Sequence, residues 1–425
     1  MKKLVIKNGR VVDPAQNLDR VCDVAMEDGT IRQIAPSIDA TGATEFDASG
    51  LIVAPGFIDM HVHLREPGFE HAETIETGAR AAAAGGFTSV CCMPNTQPVN
   101  DSAHVTSYIV DRARRFAAVN VFPIGAITKD SGGEALAAFA SMKEAGIVAI
   151  SDDGKPVMNA RVARRAMEFA QALDLPYIEH CEDLHLSAGG DMHEGFESTR
   201  LGLRGIPRSS EDVMVARDLI LAELTGVRYH VAHISSRHSV EMVGFAKRRG
   251  LKVTCEATPH HFVLADRDMA PYDSNYKMKP PLRERPDVGA VKQGLIDGVV
   301  DAIATDHAPH AGAEKMQEFE RCPFGIIGLE TALGLALEQL YHPGHVDLAH
   351  LIRLFTENPA RILSLDRGSL RVGGAADVTV FSLDREWTYD VRRSASKSSN
   401  TPFHGRQFKG GPVASVVAGE VVWRL

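Results

Sequence analysis

The chain has 425 residues, of which 44% are hydrophobic, and this length is enough for one large domain and a smaller one. Its formal net charge of −9 at pH 7 argues against a surface that binds nucleic acid. No apolar run approaches the ~18 residues of a membrane span, and the run after Lys2-Lys3 is too short for an export signal. We therefore predict a cytoplasmic protein with no membrane association, whose six scattered cysteines are reduced thiols.

The first 50 residues are rich in β-prone residues. Asn8-Gly9 separates two short β-prone runs, and this dipeptide predicts a hairpin turn. Asp28-Gly29 repeats the pattern and predicts a second hairpin.

From residue 51 onward the sequence alternates strand-like and helix-like segments. The run 51–58 is apolar on both faces, as in a strand buried in a parallel sheet, and a predicted helix from about 73 to 84 follows it. Eight strands, each followed by a helix, predict an α/β fold of the (β/α)8 TIM-barrel type. A doubly wound open sheet is the alternative, but neither of its usual glycine-rich nucleotide motifs is present. The predicted strands cover residues 51–58, 88–93, 120–124, 147–150, 176–179, 228–232, 252–256 and 300–304.

The end of the chain returns to β-prone composition, in residues 377–381 and 413–423. Neither end of the chain buries much surface alone, so we predict that both ends build one small β-sandwich. The predicted domains are the N-terminal sandwich part, the barrel and the C-terminal sandwich part, at residues 1–53, 54–365 and 366–425.

A histidine pair follows the first predicted barrel strand. His61 and His63 are two residues apart, and residues i and i+2 of an extended strand project to the same face. Two imidazoles on one face supply half of a metal site. Arg65 follows at the same spacing and can point into the same cavity. For this motif alone, two structural histidines in a turn are the alternative.

Polar side chains recur at the carboxyl ends of the later predicted strands. In a barrel these ends converge on one mouth, where active sites are built. Several histidines in register, with aspartates at two further strand ends, therefore predict one shared site. The residues concerned are Asn95, Asp152, Asp153, His180, His230, His233, Asp306 and His310.

This set of ligands restricts the chemistry of the site. Imidazole and carboxylate groups without thiolate favour zinc or a related divalent ion in an open, catalytic geometry. More than three candidates indicate two ions about 3.5–4 Å apart, and a metal-bound water with a pKa near 7 supplies hydroxide. Asp306 would take the proton from this hydroxide and deliver it to a leaving nitrogen. The predicted reaction is hydrolysis of an amide-like bond, or its reverse.

The motifs resemble those of the amidohydrolase superfamily and, within it, of the longer, bacterial type of dihydroorotase. The matching pieces are DMHVHLREPG, CMPNTQP, SDDG, EHCED, HVAHISS, TPHHF, ATDHAPH and PFGIIGLET. The resemblance implies a metal-dependent barrel flanked by a β-sandwich. It also implies reversible hydrolysis of (S)-dihydroorotate to N-carbamoyl-L-aspartate, a step of de novo pyrimidine (UMP) biosynthesis, with one or two zinc ions per chain.

The resemblance also assigns roles to residues. It implies that Asp306 is the catalytic acid/base as well as a ligand, and that Arg65 and Asn95 hold the substrate carboxylate with His310 close by. Pro323 and Gly325 would offer backbone groups to the substrate ring. Lys279, which stands where the family often has asparagine, is the candidate for one further contact with that ring. The implied metal ligands are His61, His63, His180, His233 and Asp306, with Asp153 as the expected bridge and Asp152 or a carboxylated Lys155 as alternatives. His230, His260 and His261 are interpreted as structural or supporting residues.

Other functions remain open at this stage. Allantoinase and dihydropyrimidinase hydrolyse related cyclic ureides, but Arg65 together with Asn95 favours a substrate that bears a carboxylate. An inactive scaffold subunit of an aspartate transcarbamoylase complex is a second alternative, although such a chain should lack the ligands. We expect a homodimer, with association to aspartate transcarbamoylase as a further partnership.

Overall fold

The computed structural model describes residues 3–425, which form an α/β protein and confirm the predicted class. The strands are β1 Lys3–Asp13, β2 Leu18–Glu27, β3 Thr30–Ala35, β4 Thr44–Asp47, β5 Ile52–Pro55, β6 Phe57–Val62, β7 Phe87–Cys92, β8 Asn120–Pro123, β9 Ile150–Ser151, β10 Tyr177–Glu179, β11 Met192–His193, β12 Gly205–Ile206, β13 Tyr229–Val231, β14 Val253–Ala257, β15 Ala302–Ile303, β16 Val378–Thr388, β17 Gln407–Val417 and β18 Glu420–Arg424. The helices are α1 Ile75–Ala84, α2 Ala103–Phe116, α3 Phe139–Ala145, α4 Ala160–Ala172, α5 Phe196–Leu201, α6 Ser209–Thr225, α7 Arg237–Arg248, α8 Pro259–Val263, α9 Arg285–Ile296, α10 Gly312–Lys315, α11 Ala332–Ala336, α12 Leu348–Phe355 and α13 Glu357–Leu363.

Strands from both ends of the chain form one mixed sheet. Its order is β18-β17-β16-β5-β1-β2-β3, with β4 beside β1. The strands from the N-terminal part of the chain meet those from the C-terminal part where β16 runs antiparallel to β5, with Val380 opposite Val53. Apolar side chains from both ends, including Ile6, Val24 and Val380, pack into a core of their own on this sheet. Neither chain end therefore folds as a separate β unit.

The two dipeptides predicted as hairpin turns behave differently. Asp28-Gly29 joins β2 to β3 as predicted, and both residues have positive φ. The turn predicted at Asn8-Gly9 is wrong, because β1 runs straight through it and only shifts register there. The backbone N–H of Asn8 donates to Asp23, and Gly9 has no room for a Cβ beside Val53. These contacts make the dipeptide a bulge within the strand.

The middle of the chain forms two parallel sheets with helices between successive strands. One sheet has the order β6-β7-β8 and the other the order β15-β14-β13-β10-β9. Two isolated parallel bridges link their edges, from Gly125 to Ile150 and from Val62 to His307. The carboxyl ends of these strands therefore lie on the same side of the molecule. The short pair β11-β12 lies outside both sheets.

The apolar run 51–58 is not one strand as predicted. It divides at Gly56 into β5, which belongs to the sheet of the chain ends, and β6, which begins the parallel sheets. At this crossing the chain passes so close to β7 that a Cβ on Gly56 would lie 2.0 Å from Thr88 Oγ1. The other seven predicted strands each overlap an observed strand, with bounds that differ by at most three residues.

Helix α1 supports the segment that follows β6. Thr74 caps its first turn by accepting from the N–H of Thr77, and the helix ends before Gly86, which has a φ of 90°. Its buried face consists mostly of small residues. At Gly78 a Cβ would lie 2.5 Å from the side chain of Leu64, so the helix packs directly against the residue that follows His63.

Two predictions from composition can be compared with the structure. The six cysteines are all buried, and none forms a disulfide. Among residues 3–425, no helix combines the length and the apolar character needed to cross a bilayer.

The crossing at Gly56 makes a prediction about stability. We expect Gly56→Ala to lower the free energy of unfolding by about 1–3 kcal/mol, because the added methyl group overpacks against Thr88. Gly289→Ala in α9 is the matched control, since its Cβ would meet no atom within 4 Å and should stabilise the helix by about 0.5–1 kcal/mol. Urea denaturation of both variants measures the difference. A Gly56→Ala variant as stable as the wild type would contradict this account of the crossing.

Candidate metal centre and active site

Four histidines and two aspartates meet where the parallel strands end. All six are at most 5% exposed. His61 is the penultimate residue of β6 and His63 follows the strand, while the other four follow the ends of β9, β10, β13 and β15. The structure thus brings together His61, His63, Asp153, His180, His233 and Asp306.

Asp306 lies beside the histidine pair at the end of β6. Its Oδ1 is 3.0 Å from His63 Nε2 and 3.5 Å from His61 Nε2. Burial alone would raise the pKa of Asp306, but the two neighbouring imidazoles lower it to about 2. The spacing of the histidines along the strand therefore places both rings on one carboxylate, as the i, i+2 pattern predicted.

Asp153 occupies the centre of the cluster. Its carboxylate lies 3.4 Å from His61, His63 and His233, and 3.6 Å from His180 Nδ1. His180 Nδ1 is also 2.9 Å from His233 Nε2. Burial would raise the pKa of Asp153, yet the surrounding histidines hold it well below its usual range.

The neighbouring candidates after β9 point elsewhere. Asp152 accepts hydrogen bonds from the backbone N–H groups of Ile127 and Thr128 and from the Thr128 hydroxyl, so it supports the loop after β8. Burial raises the pKa of Asp152 to about 6. Lys155 is exposed. Of the three residues considered as a bridge, only Asp153 reaches the histidines.

The cluster has the character of a site for a divalent cation. Three overlapping groups of three residues each place their ligand atoms within 4.8 Å of one another. His61 Nε2 is buried and has no hydrogen-bond partner, so one imidazole nitrogen faces the cluster with its lone pair or proton unused. The donors are imidazole and carboxylate without thiolate, a set that suits zinc and related ions.

Polar groups outside the cluster orient three of the histidine rings. His61 Nδ1 lies 2.7 Å from Glu256, His180 Nε2 lies 2.9 Å from Glu182, and His63 Nδ1 lies 2.9 Å from Asn95 Oδ1. Each contact leaves the other ring nitrogen directed into the cluster. Sequence reasoning missed Glu256 and Glu182 as partners. Glu182 is two residues after His180, and Glu256 lies near the end of a predicted strand, so strand-end position was the available signal.

Backbone geometry at the site is unusual for residues other than glycine. His233 has a φ of 30°, Asp306 of 45° and Arg65 of 60°. Such conformations cost roughly 1–3 kcal/mol each and persist only where the surroundings enforce them. Here they turn the chain sharply as it leaves β13, β15 and β6, which directs the three side chains toward the common site.

A cavity of about 360 Å³ opens above the cluster. Its walls include His63, Asp153, His180, His233 and Asp306. The remaining predicted substrate contacts border the same space: Arg65, Asn95, Lys279, His310 and Pro323 line it together with Phe324. Gly325 lies behind this wall, where a Cβ would be 2.7 Å from the His310 ring.

Arg65 and Lys279 are the cationic side chains that line the cavity, and they differ in their partners. The Nε of Arg65 donates to Pro309 O at 3.0 Å, and within residues 3–425 no carboxylate lies within ion-pair distance of its guanidinium. The neighbouring carboxylate of Glu66 is bound instead by Arg112 and by the N–H of Ile75. The outer N–H groups of the guanidinium thus remain available for an anion.

His310 lies against Arg65 without accepting from it. Burial and the charge of Arg65 lower the pKa of His310 to about 3, so the ring is neutral. Its Nε2 is 2.8 Å from Phe324 O and must donate to it, which leaves no lone pair there for the Arg65 nitrogen 3.3 Å away.

Lys279 lines the cavity and is also paired with a carboxylate of the protein. Its Nζ is 2.7 Å from Glu182 Oε1 and lies over the ring of Phe324. Because Glu182 also binds His180, this lysine is tied to the cluster through one carboxylate. The Lys279 ammonium group therefore already has a carboxylate partner at the edge of the cavity.

Of the three remaining histidines near the cluster, His230 and His261 have hydrogen-bond partners, whereas the buried His260 Nε2 has none in the described chain. His230 lies 2.8 Å from Thr254 Oγ1 and 3.3 Å from Glu256. His261 contacts Thr258 Oγ1 and Pro280 O, and the His260 ring packs against it with centroids 4.5 Å apart. These contacts agree with the structural interpretation of the three residues.

Comparison with known proteins gives three kinds of match. A family model described as dihydro-orotase-like matches residues 50–239, and an amidohydrolase family model matches residues 237–423. The dihydroorotase of Solibacter usitatus is 70% identical over 99% of this chain and 98% of the relative, and that of Geobacter sp. strain M21 is 53% identical over 99% of both. The L-hydantoinase (dihydropyrimidinase) of Arthrobacter aurescens superposes with a TM-score of 0.90, covering 100% of this chain and 96% of that one.

The hydantoinase is 24% identical, so this match concerns the fold alone. The curated relatives match almost the whole chain at more than twice that identity. The chain therefore belongs to the dihydroorotase family of the amidohydrolases.

Proposed function

We propose that this protein catalyses the reversible hydrolysis of (S)-dihydroorotate to N-carbamoyl-L-aspartate, a step of de novo pyrimidine (UMP) biosynthesis. One observation carries the proposal: the guanidinium of Arg65 borders the cavity beside the histidine–aspartate cluster, and no carboxylate of residues 3–425 lies within ion-pair distance of it. A substrate carboxylate would supply that ion-pair partner. The dihydroorotases that match nearly the full chain support the same reaction.

The proposed architecture places this chemistry at the mouth of a (β/α)8 TIM-type barrel. The bridges from Gly125 to Ile150 and from Val62 to His307 support closure of the two parallel sheets into one barrel. In a closed barrel all strand carboxyl ends face a single mouth. We further propose a β-sandwich built from both chain ends, with domains at residues 1–53, 54–365 and 366–425.

The resident metal in this proposal is zinc, with one or two ions per chain. The side chains that would hold the metal are His61, His63, Asp153, His180, His233 and Asp306, with Asp153 as the expected shared ligand. When bound, zinc lowers the pKa of a coordinated water to near 7 and polarises the amide carbonyl. The rings are oriented for this task by Glu256, Asn95 and Glu182, through the nitrogen that does not face the cluster.

Asp306 is the proposed general acid/base. It borders the cavity and contacts two histidines, whereas Asp153 is shared among four. As the ring opens, the Asp306 carboxylate accepts a proton from the attacking water and passes it to the amide nitrogen that leaves. The same group returns the proton in the reverse, ring-closing direction.

Substrate recognition falls to the opposite wall. Arg65 can form a bidentate pair with the substrate carboxylate. Asn95 uses its oxygen on His63, which leaves its amide N–H groups for the same carboxylate. His310 and the backbone at Pro323 and Gly325 complete this wall, and Lys279 borders it while bound to Glu182.

Allantoinase or dihydropyrimidinase activity is the second candidate, because the hydantoinases share this fold and the fold by itself does not separate the two activities. Neutral dihydropyrimidines carry no carboxylate, so they would leave Arg65 unpaired in the cavity. A scaffold subunit without activity is disfavoured because the complete ligand set is present. The cytoplasmic location, the homodimer and an association with aspartate transcarbamoylase remain parts of the proposal.

The metal content tests the cluster directly. We expect the purified protein to carry one to two zinc ions per chain, and the double variant His61→Ala/His63→Ala to lose at least one while remaining folded. His104→Ala, on the exposed side of α2, is the control and should retain all metal. Metal analysis and circular dichroism provide the measurements. Full activity of metal-free wild type after exhaustive chelation would rule out this site.

The role of Asp306 has its own test. We expect Asp306→Asn to reduce the turnover of dihydroorotate by ~10²–10⁴-fold, because general acid–base catalysis typically contributes that much. Metal content and thermal unfolding, measured alongside, distinguish lost proton transfer from lost structure. Asp297→Asn, at the end of α9, is the charge-matched control. Near-normal turnover in Asp306→Asn would transfer the role to another group, with His310 next in line.

Arg65 decides between the two candidate functions. We expect Arg65→Met to weaken dihydroorotate hydrolysis by about 2–5 kcal/mol in kcat/KM, the typical effect of breaking a desolvated charge pair. Arg65→Lys should be intermediate, since an ammonium cannot form the bidentate pair. Metal content should be unchanged, and dihydrouracil should be a poor substrate for the wild type. If dihydrouracil is hydrolysed as fast as dihydroorotate and Arg65→Met slows neither, the protein is a dihydropyrimidinase.

A further inference from the structure

Residues 319–325 lie between α10 and Ile326, which forms a parallel bridge with His307, and the end of this segment contributes to one wall of the cavity. Pro323 and Phe324 face the cavity, and Phe324 O accepts the hydrogen bond of His310. Gly325 lies so close to Ala308 O that a Cβ there would be 2.6 Å away. The position of this segment therefore determines where His310, and with it Arg65, can lie.

Two buried lysines approach this segment from the protein interior. Lys277 is 2% exposed, and its Nζ donates to Phe319 O at 2.6 Å and to Glu320 O at 3.2 Å. Lys315 is 6% exposed, and its Nζ donates to Pro323 O at 2.9 Å and to Gly325 O at 3.2 Å. Four carbonyl groups of one seven-residue segment thus turn inward onto two ammonium groups.

The burial of these ammonium groups is costly, and of the two only Lys277 has a carboxylate within ion-pair distance among the described residues. In the described chain no carboxylate lies within ion-pair distance of Lys315, and burial lowers its pKa to about 8. Lys277 has Asp191 at 3.4 Å and lies over the rings of Phe319 and Phe324. An apolar side chain would fill the same space without the desolvation cost. Unlike an apolar side chain, a lysine offers three N–H donors at one point, which can bind several carbonyl groups of residues 319–325 at once.

We propose that Lys277 and Lys315 are positioning residues that hold residues 319–325 in the shape required for substrate binding. This inference rests on the proposed function only in naming dihydroorotate as the ligand. By drawing the carbonyl groups inward, the lysines leave the faces of Pro323 and Phe324 toward the cavity. They also fix the acceptor that keeps the His310 proton away from Arg65.

The contacts separate this role from that of the metal cluster. Neither lysine contacts any of the six residues of the cluster, whereas both contact the wall opposite it. We call the hydrogen bonds from Lys277 and Lys315 to residues 319–325 the lysine clamp. Loss of this clamp should therefore weaken ground-state binding of the substrate and leave the chemical step and the metal in place. In kinetic terms KM should rise while kcat stays nearly constant.

The test compares Lys315→Met and Lys277→Met with Lys292→Met, a control in α9 whose Nζ binds Gln339. For the two clamp variants we expect KM for dihydroorotate to rise by about tenfold or more, with kcat within about threefold of wild type. Zinc content should equal that of the wild type. Hydrogen exchange of the backbone amides in residues 319–325 should be faster than in the wild type, and Lys292→Met should show neither change.

Lys315→Met decides the matter, because no carboxylate is left unpaired in that variant. A folded, zinc-loaded Lys315→Met with wild-type KM and wild-type exchange would overturn the proposal, and so would a loss of zinc. Asn400→Ala is the second variant, since Asn400 Nδ2 donates to Gly325 O at 3.0 Å, and it should change KM and exchange in the same direction. Exchange requires no substrate, so a wild type inactive on dihydroorotate would refute the proposed function while the exchange result still tests the clamp.

Discussion

The contact of one buried carboxylate, that of Asp153, with four imidazole rings governs the surrounding structure. The rings come from the ends of three different strands, so their convergence requires the strands to keep their order and register. A buried carboxylate is tolerated only where it is fully paired. Here the pairing also involves a second carboxylate, that of Asp306, and the six groups together form a compact buried polar centre. Its donors suit a divalent cation better than they suit one another, as the unpaired His61 Nε2 indicates.

The cluster depends in turn on groups that sequence motifs do not reveal. Glu256 holds His61 and also lies near His230, so one carboxylate couples β14 to β6 and β13. Glu182 couples His180 to Lys279 on the cavity wall. These contacts select which ring nitrogen faces inward, and they help enforce the left-handed backbone of His233, whose N–H is 3.4 Å from Glu256. The strain is thus borne by a network that reaches well beyond the six residues.

Sequence alone was sufficient where a feature depends on local periodicity. The i, i+2 spacing placed His61 and His63 on one face, and strand-end position placed His180, His233 and Asp306 near them. Features that depend on distant contacts were beyond its reach. Asn8-Gly9 and Asp28-Gly29 are locally alike, but contacts of the first pair with Asp23 and Val53 make it a bulge. Asp152 and Asp153 are adjacent and identical in type, so their local pattern cannot tell them apart. Their roles differ because the N–H groups of residues 127 and 128 donate to Asp152. The buried lysines carry no sequence signal at all.

The two walls of the cavity differ in how their charges are paired. On one wall the charges of the cluster are matched internally, and Lys279 is matched by Glu182. On the other wall Arg65 has a backbone acceptor for its Nε and an uncharged histidine beside it, and no carboxylate of residues 3–425 lies within ion-pair distance of its guanidinium. A ligand gains most by placing an anionic group against Arg65 and its reactive bond against the cluster. Orientation of a carboxylate-bearing cyclic amide then follows from charge alone, before any contact with the ring is made, and residues 319–325 need only hold the ring at the correct depth.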